Sequence, residues 1–206
     1  MTRLEMIPGE RWPEELRAVV DPTHLTPLEQ GNLRIYAHRP SLAVAYAQFM
    51  AALREPGLIP ARLRELLRIR VAFHNQCRSC MAVRYDGAAT DGVDEELVCQ
   101  LALPEEAPDL TDAERVALRF ADHLATDHLR IDDAFFDRLR EHWTEPEIVE
   151  IGLHVASYVG FGRLSSAWDM IDELPDRFLD RDAPITPWGG DAVRVGADAR
   201  GATGRS

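Results

Sequence analysis

The sequence lacks the long apolar runs and the many cysteines that mark membrane proteins and disulfide-rich proteins. No apolar run approaches the roughly 20 residues that a helix needs to cross a bilayer, and only 3 of the 206 residues are cysteines. The net charge of −12 disfavours binding to nucleic acid or to an anionic membrane. The acidic N-terminal segment has no apolar signal core, so we expect a cytoplasmic protein in which any disulfide is reversible.

Valine and isoleucine are also sparse, whereas alanine, leucine, arginine and glutamate are frequent, and this composition predicts an all-α fold. A chain of 206 residues is long enough for one well-buried domain. Proline and glycine punctuate both ends. We therefore predict an irregular N-terminal arm at residues 1–24, a domain of about eight helices at 25–175 and a flexible tail at 176–206. An exposed apolar face of this domain is expected to be used in self-association.

The stretch from Glu65 to Ala89 concentrates residues with chemical potential. Cys77 and Cys80 are spaced as C-x-x-C, Glu65 lies twelve residues before the first cysteine, and Arg84 lies four after the second. Asn75 is predicted to cap a helix that opens close to Cys77, where the helix dipole favours thiolate over thiol. Cysteines three apart on a helix share a face and can close a disulfide, and Arg84 could stabilise an anion there.

Three interpretations compete for this cysteine pair. Zinc normally takes four ligands, and no second pair with metal-ligand spacing accompanies the first, so no metal site is predicted. A thioredoxin-like site would need a βαβ pattern, which is absent from the sequence. A redox-active pair on a helical scaffold fits best, and two core cysteines without chemistry are the alternative. The third cysteine, Cys99, is predicted to be a buried, inert thiol.

The segment RLRELLRIRVAFHNQCRSCMAVRY resembles the core of the alkylhydroperoxidase-D-like (AhpD-like) branch of the carboxymuconolactone decarboxylase superfamily. That family combines a glutamate, about eleven residues, C-x-x-C, three residues and a histidine, and Glu65, Cys77 and Cys80 match its pattern. The resemblance extends more weakly over about residues 25–172. It implies an oligomeric, multi-helix orthogonal bundle (a dimer, trimer or hexamer) without a cofactor. It also implies that Cys80 attacks a hydroperoxide, Cys77 resolves it as a disulfide, Glu65 acts as the base, and a thiol reductant restores the pair.

The chain departs from the pattern at Arg84, which stands in the place of the motif's histidine. Arginine stays protonated and cannot shuttle protons, but it can activate a thiolate electrostatically, so we assign Arg84 that role. His74 is a candidate substitute for the missing histidine, and His154 could line the redox pocket from across the fold; a structural role is the alternative for each. A carboxymuconolactone-type decarboxylase and a non-catalytic redox-sensing helical protein are the alternative functions.

Overall fold

The computed structural model describes residues 2–54, 57–86, 91–182, 185–188 and 192–196, and these residues confirm the all-α prediction. Two strands of three residues each form the sheet in this part of the chain. The α-helices and strands are α1 (Glu14–Arg17), α2 (Pro27–Gln30), α3 (Leu33–Tyr36), α4 (Pro40–Ala52), α5 (Ala61–His74), α6 (Arg78–Ala82), β1 (Val83–Tyr85), α7 (Glu95–Gln100), α8 (Asp112–Thr126), α9 (Asp133–Arg140), α10 (Glu145–Trp168) and β2 (Val193–Val195).

Helix starts follow the local sequence closely. Capping boxes open α8 and α10, as the T-x-x-E spacing predicts. At the first of them the Glu114 amide donates to the Thr111 hydroxyl at 3.2 Å, and the Thr111 amide donates to the Glu114 carboxylate at 2.8 Å. Between these ends, the apolar face of each helix determines how it packs.

Helix α10 differs from expectation, because the sequence predicts an interruption at residues 160–162 and the helix runs through them. A glycine inside a helix costs only about 1 kcal/mol relative to alanine, and here one of the two glycines serves packing. A Cβ atom at Gly162 would lie 2.5 Å from the Asn75 side-chain nitrogen. Gly162 therefore lets α10 approach the end of α5 closely.

Helix α5 forms the centre of the main core, with α8 and α10 packed against it. Its apolar side chains Leu66, Leu67 and Ile69 are fully buried. Two salt bridges join the same helix to α8. Arg62 binds Glu114 and Arg70 binds Asp122, each with a shortest N–O distance of 2.6 Å. The core thus holds α5, and with it the segment that leads to the cysteines, in a defined position.

The two terminal segments are packed against the domain where the structure describes them. In the predicted arm, Trp12 and Leu16 are buried in a cluster with α4. In the predicted tail, Phe178 is fully buried and β2 pairs in parallel with β1, with Val193 opposite Val83. Residues 197–206 of the predicted flexible tail lie outside the described range. Among the described residues, no helix has the length and hydrophobicity of a membrane span.

Candidate functional site

The loop before the cysteines ends one helix and starts the next. The Cys77 amide donates to the Ala72 carbonyl at 3.1 Å and the Gln76 amide donates to Phe73 at 3.0 Å, which is the paired pattern of a Schellman motif. Gln76 has a φ of +48°, the left-handed conformation that this motif requires. The prediction that Asn75 caps the second helix is therefore wrong, since Asn75 is the C-cap of α5.

Cys77 itself is the N-cap of α6, and it forms a disulfide with Cys80. The two Cα atoms are 5.2 Å apart, and the Cys80 amide donates to the Cys77 sulfur at 3.3 Å. Cys77 is fully buried, whereas Cys80 is partly exposed. A Cβ atom at Gly162 would lie 3.9 Å from the Cys80 sulfur, so α10 forms one wall of the site. Cys80 is thus the sulfur that a substrate can reach more easily.

Glu65 is buried on α5, the helix before the cysteine loop, and it is paired with Arg68. Its two carboxylate oxygens each accept a hydrogen bond of 2.7 Å from the Arg68 guanidinium. The same guanidinium donates to the carbonyl of Cys80 at 2.6 Å and to that of Val83 at 2.7 Å. It also lies 5.0 Å from the centre of the Tyr85 ring. Burial disfavours the charged guanidinium, but the adjacent Glu65 carboxylate outweighs this effect and raises the pKa of Arg68.

Arg84 is buried as well, but its hydrogen bonds lead away from the two sulfurs. It donates to the Glu95 carboxylate at 2.9 Å, to the Met81 carbonyl at 2.8 Å and to the Pro187 carbonyl at 2.6 Å. Burial and the nearby Arg68 guanidinium lower the pKa of Arg84, against the opposing effect of Glu95. The side chain thus joins the end of α6 to α7 and to the C-terminal segment.

Neither candidate histidine makes a hydrogen bond to a cysteine among the described contacts. His74 contacts Asp122 at 2.6 Å, in the same cluster as Arg70. His154 is buried in α10, and its Nδ1 lies 3.1 Å from the hydroxyl of Tyr158. Burial is the main cause that lowers the pKa of His154 to about 4. It also raises the pKa of Tyr158, whose ionisation is influenced by the charges of Arg68 and Glu65.

A small cleft lies beside the cysteine loop. Its cavity volume is about 50 Å³, and Gln76 with the first residues of α6, Arg78 and Ser79, faces the C-terminal end of α10 and the residues after it across the cleft. The Ser79 hydroxyl in its wall is 3.5 Å from the Cys77 sulfur.

Two further observations concern cysteine and metal chemistry. The prediction of a buried Cys99 is wrong, because this free thiol is exposed on α7. On this short helix Leu97 and Val98 are buried whereas Glu96 and Cys99 are exposed, and the sequence did not reveal which face meets the core. Within the described residues, no group of three or more histidine, cysteine, aspartate or glutamate side chains is arranged to hold a metal ion.

Comparison with known proteins agrees with this fold. Residues 40–123, which include both cysteines and Glu65, match the model of the carboxymuconolactone decarboxylase family. The AhpD-core, uncharacterized peroxidase-related protein of Ralstonia eutropha JMP134 superposes with a TM-score of 0.69 at 21% identity, over 86% of this chain and 94% of that one. The expected resemblance is thus borne out by the family model over these residues and by the fold of the AhpD-like structures.

Two more proteins resemble this chain. The uncharacterized protein YdfG of Bacillus subtilis (strain 168) is 29% identical over 105 residues, which are 50% of this chain and 71% of YdfG. The debrominase Bmp8, solved in complex with 2,3,4-tribromopyrrole, superposes with a TM-score of 0.59 at 21% identity, over 73% of this chain and 89% of that one. AhpD-like folds thus occur in proteins described as peroxidase-related and in a debrominase.

The sequence reasoning missed Arg68, although the signal was present. Glu65 and Arg68 are three residues apart on a helix, a spacing at which opposite charges meet. In the sequence, Arg68 does not stand out, because Arg62, Arg64, Arg68 and Arg70 recur along α5 like one basic flank of the helix. The structure separates these residues, because each arginine meets a different partner around the helix.

Proposed function

We propose that this protein is a thiol-dependent oxidoreductase that reduces hydroperoxides through the Cys77–Cys80 pair. The observation that carries the proposal is the disulfide at the start of α6, with a partly exposed Cys80 whose carbonyl is bound by Arg68, the partner of the buried Glu65. The match to the carboxymuconolactone decarboxylase family and the likeness to AhpD-like folds support this chemistry.

The proposed reaction begins with the reduced pair. Glu65 takes the proton of the Cys80 thiol, and the thiolate sulfur bonds to the terminal oxygen of the hydroperoxide. The O–O bond breaks and the alcohol leaves with a proton, which leaves a sulfenic acid on Cys80. The Cys77 thiol then attacks this sulfur, water leaves and the disulfide forms. Two electrons pass from the thiols to the peroxide, and an external dithiol reductant returns them.

Two features of the site bear on which cysteine reacts first. Cys77 is fully buried and serves as the helix cap, whereas Cys80 is partly exposed. A nucleophile has to meet its substrate, so its exposure favours Cys80 for the attack, and the buried Cys77 is left for the resolving step.

We assign Arg84 an electrostatic role, since its positive charge acts on α6 through the Met81 and Val83 carbonyls.

Mass spectrometry of the reduced protein, before and after one equivalent of tert-butyl hydroperoxide, tests this proposal. We expect the wild type to lose two thiols as a Cys77–Cys80 disulfide. Cys77→Ser should accumulate a sulfenic acid on Cys80 that dimedone captures, and Cys80→Ser should abolish hydroperoxide consumption. Cys99→Ser is the matched control, because it removes the exposed third thiol and should leave the reaction unchanged.

Other results would favour the alternatives. A carboxymuconolactone-type decarboxylase would tolerate the loss of both cysteines, so activity on a lactone acid in the Cys77→Ser, Cys80→Ser double variant would refute the redox proposal. A redox-sensing protein would form the disulfide without catalytic turnover. Its number of subunits would change on reduction, which a size measurement of the oxidised and reduced protein detects. The debrominase neighbour makes reductive dehalogenation a third assay, with a bromopyrrole as substrate and the same cysteine variants.

Homo-oligomer formation is part of the proposal. On α10, Val149 is 60% exposed and Leu153 is 46% exposed, and α4 presents Leu42 with 59% exposure. Exposed apolar side chains that recur along one helix face favour contact with another protein surface. Light scattering of the purified protein measures the number of subunits.

A further inference from the structure

The guanidinium of Arg68 joins the two parts of the candidate site. It binds both oxygens of Glu65 on α5, and it binds the carbonyls of Cys80 and Val83 at the end of α6. All four hydrogen bonds measure 2.6–2.7 Å. Only 11% of the Arg68 side chain and 4% of the Glu65 side chain are exposed. A single planar group therefore links the acid to the cysteine helix.

The short length of α6 makes this link important. A helix of five residues has few internal hydrogen bonds, and its last carbonyls need partners from outside the helix. The disulfide joins the N-cap of α6 to its first turn, and this covalent link disappears when the pair is reduced. The carbonyl of Cys80 is then held in place by noncovalent contacts, of which the bond from Arg68 is the shortest described.

We propose that Arg68 is a positioning residue that holds Glu65 and Cys80 in a fixed relation throughout the redox cycle. The inference rests on the proposed roles of these two residues in hydroperoxide reduction. Arg68 acts through them and does not touch the substrate. Arg84 binds the neighbouring Met81 carbonyl and completes the end of α6 from the other side.

Lysine cannot replace arginine in this arrangement. The Arg68 fork directs its N–H groups at a carboxylate and two carbonyls at once, whereas an ammonium group is a compact charge without that planar geometry. Arg68→Lys keeps the positive charge and can still neutralise Glu65. It loses the simultaneous hydrogen bonds to the Cys80 and Val83 carbonyls. The variant therefore distinguishes an effect of position from an effect of charge.

Arg70 provides a matched control on the same helix. It makes two bonds to Asp122 at 2.6 and 3.0 Å and one to the Leu101 carbonyl at 2.8 Å. Its side chain is 12% exposed, against 11% for Arg68. Arg70→Lys therefore breaks a comparable buried fork that is not connected to the cysteine helix by any of these bonds.

The test measures the alkylation rate of Cys80 by iodoacetamide across pH, in reduced protein that carries Cys99→Ser. We expect Arg68→Lys to slow the alkylation of Cys80 at pH 7 by about tenfold or more. The reason is that α6 and its Cys80 are no longer held in place, and a small displacement of a reactive group lowers its reaction rate. The midpoint of the pH profile should move upward, because the lysine charge is no longer held at the Cys80 carbonyl and favours the thiolate less. Arg70→Lys should keep the parent profile even if urea unfolding shows lower stability.

A double-mutant cycle shows whether Arg68 acts through Glu65. In a Glu65→Gln background, the effect of Arg68→Lys on the reaction of reduced protein with tert-butyl hydroperoxide should shrink to about twofold, since neighbouring groups that act together are not additive. Equal effects in both backgrounds, or the same alkylation profile for Arg68→Lys and Arg70→Lys, would overturn the inference. Alkylation needs no hydroperoxide, so a wild type that ignores hydroperoxide would refute the proposed function and leave the alkylation test of Arg68 valid.

Discussion

His154 should make the stability of this protein depend on pH between about 4 and 7. Burial, followed by the charge of Arg64, lowers its pKa from 6.5 to about 4, although Glu150 and the Leu53 carbonyl act in the opposite direction. The unfolded chain therefore binds a proton at pH values where the folded protein does not. The free energy of unfolding should fall by about 1.4 kcal/mol for each pH unit below 6.5. The total loss on reaching pH 4 is about 3 kcal/mol.

Urea unfolding of the wild type and of His154→Asn at several pH values from 7.5 to 4 measures this effect. The asparagine oxygen can accept the Tyr158 hydroxyl in place of Nδ1 but does not titrate. Carboxylates with lowered pKa, such as Asp122, weaken both proteins alike in acid. The difference in unfolding free energy between the two proteins should therefore shrink by about 3 kcal/mol as the pH falls. Parallel curves would refute the reasoning, and His128→Asn, at an exposed position, serves as the control.

Two further predictions concern the backbone around the cysteine loop. Gly162→Ala would place a Cβ atom 2.5 Å from the Asn75 side chain and next to Cys80, so we expect a loss of about 1–3 kcal/mol in urea unfolding and a slower reoxidation of the thiols. Gly160→Ala, at a site with open space around the Cβ position, should be neutral or stabilising; similar losses for both variants would contradict the packing argument. Gln76→Gly should raise the unfolding free energy by about 0.5–1 kcal/mol, because φ is +48° there and glycine adopts this conformation without strain. A lower unfolding free energy would mean that the hydrogen bond from the Gln76 side chain to the Phe73 carbonyl outweighs the backbone strain.

The features that the sequence predicted correctly depend on neighbours in the chain. The T-x-x-E boxes at Thr111 and Thr144 start α8 and α10 because the capping bonds span only three residues. The C-x-x-C spacing allows a disulfide for the same reason, since the first turn of a helix brings Cys77 and Cys80 together. The all-α class follows from composition and helical periodicity summed over many residues.

The predictions that were wrong concern choices between partners or conformations that local signals leave open. Asn75 can begin or end a helix, and the left-handed Gln76 decides that it ends one. The glycines of α10 suggested a break, but the packing of Gly162 against Asn75 uses an unbroken helix. Cys99 on α7 faces solvent because that helix buries its other side.

By itself, the sequence determined the helical class, the starts of α8 and α10 and the residues that can do thiol chemistry, because each of these depends on composition or on contacts within one turn. The tertiary structure decided most of the electrostatics of the site. The 23 basic residues counted as lysine or arginine are all arginines, and beyond a pair within one turn, such as Glu65 and Arg68, spacing does not tell which arginine reaches which partner. Packing of α5 against α6 brings Arg68 to the Cys80 carbonyl, whereas the C-terminal segment and α7 supply the Pro187 and Glu95 partners of Arg84. A long, flexible cation takes the partner that the fold brings within reach, and in these contacts the partner lies more than one helical turn away in the sequence.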